Sequence, residues 1–211
     1  MKKSILLILV VLLMSVSFVQ AEAMENTDVG SIVTFGSYEQ GNGEAPIEWI
    51  VLDKQEDRVL ILSRYALDCK PFHETEDWNV TWAECSLRSW LNEDFIDSAF
   101  SEEERARIIS VTNTTADAPD TQDSVFLLSL DELNAYLPNE ESRITEATEY
   151  TVEQGGRVSR TTGKTYWWLR TKAMSDDCVH MVKYDGTADE FGDSMEAAFY
   201  TVRPAVWVDI A

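Results

Sequence analysis

The sequence predicts an α+β fold, a single compact domain of short, mainly antiparallel strands with two to four short helices. Strand-like runs rich in β-branched and aromatic residues lie at both ends of the chain, whereas helix-start patterns are confined to its middle. A doubly wound parallel sheet would instead need strands and helices in regular alternation. We therefore expect the N-terminal and C-terminal strands to lie near each other.

The start of the chain has the layout of a secretory signal. Two lysines precede an apolar stretch over residues 5–18, and a small residue ends the segment at Ala23. The apolar stretch is shorter than the roughly 20 residues that span a bilayer, so cleavage is favoured over a membrane anchor. We expect a signal peptide at 1–23, a secreted single domain at 24–211, and no membrane contact after cleavage.

The charge of the chain excludes several partners. Its 17 Lys and Arg against 38 Asp and Glu give a formal net charge of −21. A surface this acidic repels nucleic acid and anionic membranes, so neither is expected as a partner. The 45% hydrophobic fraction and seven Trp are too high for a disordered chain, and the charge should therefore surround a folded core.

The first strands are predicted near the start of the domain. A strand at 31–35 is followed by turn-forming residues at 36–43. Two β-branched runs at 47–53 and 59–63 are separated by only a few charged residues, which predicts an antiparallel hairpin. The second of these runs lacks polar alternation, and we expect it to be covered on both faces.

Three helix starts are predicted by one pattern, a hydroxyl side chain followed three residues later by Glu. The hydroxyl residues are Thr81, Ser101 and Ser129. In such a capping box the two side chains satisfy backbone N–H groups that the first helical turn leaves unpaired. The helix after Thr81 is expected to break around Asn92.

The pattern continues through the middle of the chain. The second helix is expected to include Ile108 and Ile109, and the third to stop at Pro138, because Pro cannot continue a helix. A fourth, shorter helical pattern covers 147–154. The polar stretch at 113–123 is expected to be a long loop within one domain, not a domain boundary.

The last third of the chain returns to strands. Short aromatic and β-branched runs at 166–170, 179–185, 199–202 and 206–210 are divided by polar segments. Each run is therefore predicted to be a strand.

The three cysteines leave two interpretations open. A disulfide between Cys69 and Cys85 would persist in an exported protein and leave Cys178 over. Alternatively, all three are buried free thiols that act as small hydrophobes. The sequence does not favour a zinc site, because no two Cys are close in sequence and His73 and His180 are the only histidines.

Seven segments, in this order, carry a resemblance to a known family. They are IVTFGSYEQ (32–40), PIEWIVLD (46–53), residues 81–104, VFLLSLDEL (125–133), TEYT (148–151), WWLR (167–170) and VRPAVWV (202–208). They resemble a bacterial extracytoplasmic domain family of unknown function, with a Trp-Trp-Leu-Arg signature and a closing Val-Arg-Pro-Ala. The resemblance covers about residues 29–210.

The resemblance implies a C-type-lectin-like fold, distantly similar to the formylglycine-generating enzymes. It implies no catalytic residue. Family members usually continue the Trp-Trp-Leu-Arg signature with Ser-Pro-Gly, whereas this chain has Thr-Lys-Ala at 171–173. The turn after that strand is therefore expected to differ.

Three arginines inside aromatic or apolar segments are candidate ligand-binding residues. They are Arg88, Arg170 and Arg203. A desolvated guanidinium needs carboxylate or carbonyl acceptors, so each could clamp an anionic ligand. We favour the alternative that they form internal pairs which join the helix to the strands. The candidate internal partners are Glu48, Glu84 and Asp68.

Tryptophans are the candidates for stacking on sugar rings. Trp78, Trp82 and Trp168 are the ligand-binding candidates, and core packing is the favoured alternative for each. Successive side chains of a strand point to opposite faces. We therefore expect one of Trp167 and Trp168 to be in the core and the other to face a loop or groove.

An acidic segment near the C-terminus is a weak calcium candidate. Asp185, Asp189, Glu190 and Asp193 gather oxygen ligands around glycines, but their spacing misses the helix–loop–helix calcium pattern. With 38 acids in the chain, such clusters arise by chance, and a solvated loop is favoured. No other cofactor is predicted.

Three functions are compatible with the sequence. The favoured one is a secreted, non-enzymatic recognition module for an extracellular glycan or protein. The second is an enzyme on a formylglycine-generating-enzyme-like scaffold or a carboxylate-based hydrolase, and the third is a structural domain of the cell envelope. No catalytic residue is assigned, because no nucleophile, metal or nucleotide motif stands out.

Overall fold

The strands form two large sheets, and the short helices fall in the middle of the chain, which confirms the predicted α+β class. The computed structural model describes Met24, residues 27–75, Asp77, residues 79–116 and residues 118–211. The secretory signal predicted at 1–23 lies outside the described residues. No described helix is both long and apolar enough to cross a membrane.

The strands and helices are short throughout. The strands are β1 (Ile32–Glu39), β2 (Glu44–Lys54), β3 (Arg58–Ser63), β4 (Asp68–Cys69), β5 (Ile108–Ile109), β6 (Val111–Asn113), β7 (Thr121–Asp123), β8 (Val125–Phe126), β9 (Trp167–Lys172), β10 (Cys178–Val182), β11 (Ala188–Ser194), β12 (Thr201–Val202) and β13 (Ala205–Asp209). The helices are α1 (Ser86–Trp90), α2 (Ile96–Ala99), α3 (Glu102–Arg105), α4 (Leu130–Tyr136), α5 (Glu140–Arg143) and α6 (Glu149–Glu153). Among the described residues most strand pairs are antiparallel.

The first sheet joins the two ends of the domain. Its strands lie in the order β1-β2-β3-β13-β5, and β8 also pairs with β13. The predicted hairpin is confirmed, since β2 and β3 pair antiparallel with Val51 opposite Ile61. The last strand, β13, pairs with β3, which confirms that the N-terminal and C-terminal strands are neighbours. Residues 59–63 are all buried, as expected for a strand covered on both faces.

The second sheet has the order β11-β10-β9-β12-β4. Its middle strand, β9, contains both Trp167 and Trp168, and both side chains are fully buried. The expectation that one of them faces a groove was wrong, because both faces of this strand are covered. Phe72 packs against the Trp168 ring on one side, and the Arg203 guanidinium lies over the Trp167 ring on the other.

The helix after Thr81 begins later than its capping pattern predicts. Glu84 accepts a hydrogen bond from the Thr81 backbone N–H, yet helical structure starts only at Ser86. Cys85 is the N-cap residue instead, and its Sγ accepts from the Arg88 backbone N–H at 3.4 Å. Only half of the predicted capping box is formed, because the Thr81 hydroxyl accepts from the Ala83 backbone N–H and not from that of Glu84, and these contacts close a turn that leads into the helix.

The predicted break around Asn92 is a π-helical segment, Leu91–Phe95, that continues α1 into α2. The Asn92 side chain donates to the carbonyls of Arg88 and Val125 and accepts from the Ser124 backbone N–H. The break was therefore wrong, and the segment instead uses Asn92 to attach the helix to β8. A π-helical turn of this kind inserts one extra residue per turn without ending the helix.

Other predictions were met in part. The capping boxes at Ser101 and Ser129 are both formed, and α4 ends just before Pro138. Ile108 and Ile109 are not helical, because they pair with β13 as a short strand. The loop predicted at 113–123 is met only in part, because its described residues within 114–120 connect the two strands of a small hairpin, whereas Asn113 belongs to β6 and Thr121–Asp123 is β7.

A buried carboxylate connects α1 to this small hairpin. The Asp123 side chain is fully buried and accepts hydrogen bonds from Trp82 Nε1 at 2.9 Å, Asn113 Nδ2 at 2.9 Å and Thr121 Oγ1 at 2.6 Å. Arg88 Nε donates to its other oxygen at 2.5 Å. Burial alone would raise the pKa of this carboxyl, but the four donors outweigh burial and lower it below its usual range.

We predict that Asp123→Asn lowers the free energy of unfolding by about 3 kcal/mol, because it removes the carboxylate that pairs with the partly buried Arg88. Urea denaturation at neutral pH measures this loss. Asp97→Asn breaks the exposed pair with Arg105 and is the matched control, with a loss below about 0.5 kcal/mol.

The same variant should show a distinct pH dependence. The folded-state pKa of Asp123 is depressed, so its contribution is present above the unfolded value of about 4 and is lost as pH falls through the folded pKa. The stability difference between wild type and Asp123→Asn should therefore shrink below about pH 4. A difference that stayed constant on acidification would contradict this assignment.

Candidate functional site

Two of the three tryptophans proposed for stacking, Trp82 and Trp168, are part of the core. Trp82 and Trp168 are at most 1% exposed, so neither ring is open to a ligand. Trp82 donates its indole N–H to Asp123, and Trp168 donates to the Lys70 carbonyl. Trp78 lies outside the described residues. The favoured alternative, core packing, is therefore what the structure shows for Trp82 and Trp168.

Two of the three candidate arginines form internal ion pairs. Arg88 pairs with Asp123 at 2.5 Å. Arg170 is 1% exposed and forms a bidentate ion pair with Glu132. Its Nη1 donates to Glu132 Oε2, and its Nη2 lies 2.9 Å from Glu132 Oε1. The internal role is as expected, but the partners expected from the sequence were wrong for both. Their acids come from β7 and α4, elements that only the folded chain brings close.

Arg203 differs from the other two arginines. It is 1% exposed, and among the described residues no carboxylate pairs with it. Its Nε donates to the Ser63 carbonyl at 2.8 Å and its Nη1 to the Arg143 carbonyl at 3.3 Å. The guanidinium lies 5.0 Å from the centre of the Trp167 ring. Its second terminal nitrogen, Nη2, has no acceptor among the described residues.

The surroundings of Arg203 do not compensate its charge. Burial lowers the pKa of this guanidinium to about 9, and no neighbouring acid raises it again. Ser63, whose carbonyl accepts from Arg203, also has a buried hydroxyl with no hydrogen-bond partner among the described residues. Buried polar groups of this kind are uncommon in folded proteins, and each calls for a partner.

A pocket opens directly over Arg203. Its volume is about 210 Å³. Its lining comprises Ile50, Arg64, Tyr65, Ile144, Thr145, Glu146, Lys164 and Arg203. Arg203 is thus a buried cation on the wall of an open pocket, and we call this site the Arg203 pocket.

The rim of the Arg203 pocket carries two exposed ion pairs. Arg64 pairs with Glu48 at 2.7 Å, and Lys164 pairs with Glu146 at 2.5 Å. All four side chains are between one third and one half exposed. The rim is therefore close to neutral, and the positive charge of the site comes from Arg203.

The acidic segment does not gather its carboxylates on one point. Asp185 accepts from the backbone and side chain of Thr187, Asp189 pairs with Lys183 at 2.6 Å, and Asp193 accepts from the Tyr200 hydroxyl at 2.6 Å. Glu190 is exposed. Across the described ranges, no group of three His, Cys, Asp or Glu side chains could hold a metal ion. Calcium binding stays a prediction from the sequence.

Part of the segment expected to be a solvated loop is a strand. Asp189, Glu190 and Asp193 belong to β11, which pairs antiparallel with β10. This strand was missed because it is acidic and half-exposed, whereas strand prediction relies on apolar or β-branched runs. Its position at the edge of the second sheet explains the composition, since edge strands tolerate exposed charge.

A surface aromatic cluster was also missed. We call the surface formed by Arg157, Tyr166, Tyr184 and Phe199 the aromatic face. The Arg157 guanidinium carbon lies 4.7 Å from the Tyr166 ring centre and 5.5 Å from that of Phe199. The rings of Tyr166 and Tyr184 are 5.4 Å apart. Tyr184 and Phe199 are 38% and 37% exposed, so the face is open to solvent.

The aromatic face rests on the core and borders the acidic strand. Buried Tyr200 contacts Phe199 at 4.8 Å, Tyr166 at 6.2 Å and Trp168 at 4.3 Å between ring centres. Its hydroxyl donates to Asp193. Burial, followed by the hydrogen bond to Asp193, holds the pKa of Tyr200 far above its usual range, so the phenol stays protonated. Sequence reasoning had no signal for this face, because its residues are far apart in the chain.

The three cysteines are free thiols in this structure. Cys69 and Cys85 are buried, and Cys178 is partly exposed. Burial raises the pKa of Cys69 to about 11 and that of Cys85 to about 12. Burial, together with the nearby Asp177, also raises the pKa of Cys178. A thiol is a nucleophile only as its thiolate, so these cysteines are poorly suited to catalysis at neutral pH.

Comparison with known proteins gives one match. A family model described as "Domain of unknown function (DUF6273)" matches residues 56–210, nearly three quarters of the chain. The match starts later than the residue 29 expected from the sequence resemblance, and it leaves β1 and β2 outside. No curated protein and no solved structure matches the chain.

We predict that a disulfide reagent at neutral pH modifies at most Cys178 quickly in the folded protein, because burial protects the other two thiols and disfavours their thiolates. In denaturant all three thiols should react. Absorbance of the released chromophore gives both counts. A count of one in denaturant would reveal a disulfide, and fast reaction of Cys69 or Cys85 in the folded protein would contradict the burial.

Proposed function

The chain belongs to the DUF6273 family, whose function is unknown, and we propose that this member is a secreted, non-enzymatic binding module for an extracellular glycan. The observation that carries the proposal is the aromatic face, a solvent-open group of three rings and one arginine. Secretion rests on the signal layout at 1–23, and the C-type-lectin-like relationship belongs to the same proposal.

The aromatic face has the chemistry that sugars require. Aromatic rings offer flat apolar surfaces to the C–H groups of a pyranose, and tyrosine adds a hydroxyl for hydrogen bonding. Contacts with Arg157 and Tyr184 hold the Tyr166 ring in place, so little side-chain entropy is lost when a ligand stacks on it. Lys183, which follows β10, pairs with Asp189 of β11 and places charged hydrogen-bonding groups near Tyr166.

A protein ligand is the second candidate. It is favoured by Phe191 and Met174, which are 73% and 82% exposed. Gly192 on β11 lies against Ala173, so the two exposed side chains belong to neighbouring parts of the second sheet. Large exposed apolar groups of this kind often mark protein contacts.

Neither catalytic alternative gains support from the site geometry. The thiol version needs a reactive cysteine, whereas burial raises the pKa of each of the three. The carboxylate version needs an acid with a raised pKa beside an ionised one. Among the described acids, each resolved shift is downward. A structural role in the envelope is the remaining alternative, and it requires no open binding face.

We predict that the purified protein binds at least one glycan on an array and that the double variant Tyr184→Ala, Phe199→Ala weakens this binding about tenfold or more. Each aromatic contact contributes about 0.5–1.5 kcal/mol beyond its buried area, so losing two has an effect of this size. Titration calorimetry with the best array ligand measures the change.

Ile32→Ala is the matched control, because Ile32 is an exposed apolar residue on the edge strand of the other sheet. It should leave glycan affinity unchanged. A folded sample that binds no glycan, or a double variant that binds as well as wild type, would count against the proposal. Binding only on a protein array would favour the second candidate.

A further inference from the structure

We propose that the Arg203 pocket binds the carboxylate of a small organic acid, of which a single uronic acid sugar is the type example. This inference goes beyond the proposed glycan recognition, because it rests on different residues. It is carried by a buried guanidinium that pairs with no acid in the part of the chain that the structure describes and that lines an open pocket.

The charge of the Arg203 guanidinium is not balanced by a carboxylate among the described residues. Taking a cation out of water costs several kcal/mol unless a carboxylate or enough hydrogen bonds replace the lost hydration. Arg203 recovers two carbonyl contacts, and its Nη2 has no acceptor among the described residues. Arg170, equally buried, has a bidentate carboxylate. The contrast indicates that an acid is missing at Arg203.

The pocket gives a ligand from solution access to Arg203. Arg203 is one of the residues that line the pocket, so a ligand in the pocket would lie against this residue without unfolding of the protein. A planar carboxylate suits a guanidinium edge, where parallel N–H groups donate to both oxygens. Because the partner of Arg170 lies inside the fold and the partner of Arg203 would come from solution, the same chemistry serves structure in one case and recognition in the other.

The size and the lining of the pocket indicate which kind of ligand it can hold. Its 210 Å³ is below the roughly 300–1,000 Å³ of pockets for drug-sized ligands, so it suits a small acid. Ile50, Ile144 and the ring of Tyr65 supply apolar surface for the carbon skeleton. The Thr145 hydroxyl is already committed to the Arg64 carbonyl at 2.6 Å. The pocket therefore surrounds one buried guanidinium with a mainly polar lining and a smaller apolar part, which suits a polar, sugar-sized acid.

The charged side chains around the pocket bear on the charge of its ligand. Two carboxylates, Glu48 and Glu146, stand at the rim in pairs with Arg64 and Lys164. The net charge of the whole chain is −21. Because Arg64 and Lys164 offset these two carboxylates, the charge of the rim does not select between a monoanion and a dianion, and a parallel titration with inorganic phosphate distinguishes them.

The experiment is a calorimetric titration of the exported, purified protein with D-glucuronate, with D-glucose and inorganic phosphate as parallel probes. Glucuronate should bind with one-site stoichiometry and raise the melting temperature in proportion to the logarithm of its concentration. Glucose lacks the carboxylate and should bind at least about tenfold more weakly, since charged hydrogen bonds are the strong ones.

Variants separate the pocket from the rest of the molecule. Arg203→Met should weaken glucuronate binding at least about tenfold, because the guanidinium donors are lost. Lys164→Glu changes an exposed rim position, so the fold is kept, and should weaken binding about threefold or more by adding negative charge. Arg58→Met is the matched control, because Arg58 also lies over a Trp ring, that of Trp207, at a different cavity.

Two kinds of result would overturn the proposal. Equal binding of glucose and glucuronate, or no binding of either, removes the carboxylate site, and tighter binding of phosphate removes the choice of ligand class. Binding unaffected by Arg203→Met or Lys164→Glu places the ligand elsewhere. The variant Tyr184→Ala, Phe199→Ala should bind glucuronate normally, so this site and the aromatic face can fail independently.

Discussion

A positive charge that is removed from water has to be balanced inside the fold, and this constraint organises the structure. Arg170 lies in the middle strand of the second sheet and pairs with Glu132 of α4. The same Glu132 carboxylate accepts from the Ser129 backbone N–H and so caps α4. One acid therefore starts a helix and attaches it to a sheet. Asp123 likewise pairs with a partly buried arginine, Arg88, and so joins α1 to the small hairpin.

Arg203 is where the fold leaves this balance incomplete. It follows β12 and precedes β13, so its position is fixed by both sheets, and carbonyls of Ser63 and Arg143 hold its guanidinium. The segment that carries Lys164 at the rim of its pocket continues two residues later to Tyr166 on the aromatic face. The two proposed binding surfaces, which differ in chemistry, are thus connected by one short segment of the chain.

Features encoded locally could be predicted from the sequence. The β2–β3 hairpin followed from two β-branched runs and a short connection, and the boxes at Ser101 and Ser129 followed from spacing alone. Features set by distant partners could not. Ile108 and Ile109 look helical until β13 is available to pair with them, and the acids that pair with Arg88 and Arg170 come from other elements. The candidate Arg203 was visible in the sequence, but its lack of an acid partner was visible only in the fold.

The most direct test of this account compares the unfolding free energies of Arg203→Met and Arg170→Met by urea denaturation, without added organic acid. Arg170→Met leaves Glu132 without its partner and should lose about 3 kcal/mol or more. Arg203→Met removes a buried charge that none of the described acids balances and keeps apolar volume, so it should lose less than about 1 kcal/mol or gain stability. Equal, large losses in both variants would show that Arg203 is already balanced within the fold and would contradict the account.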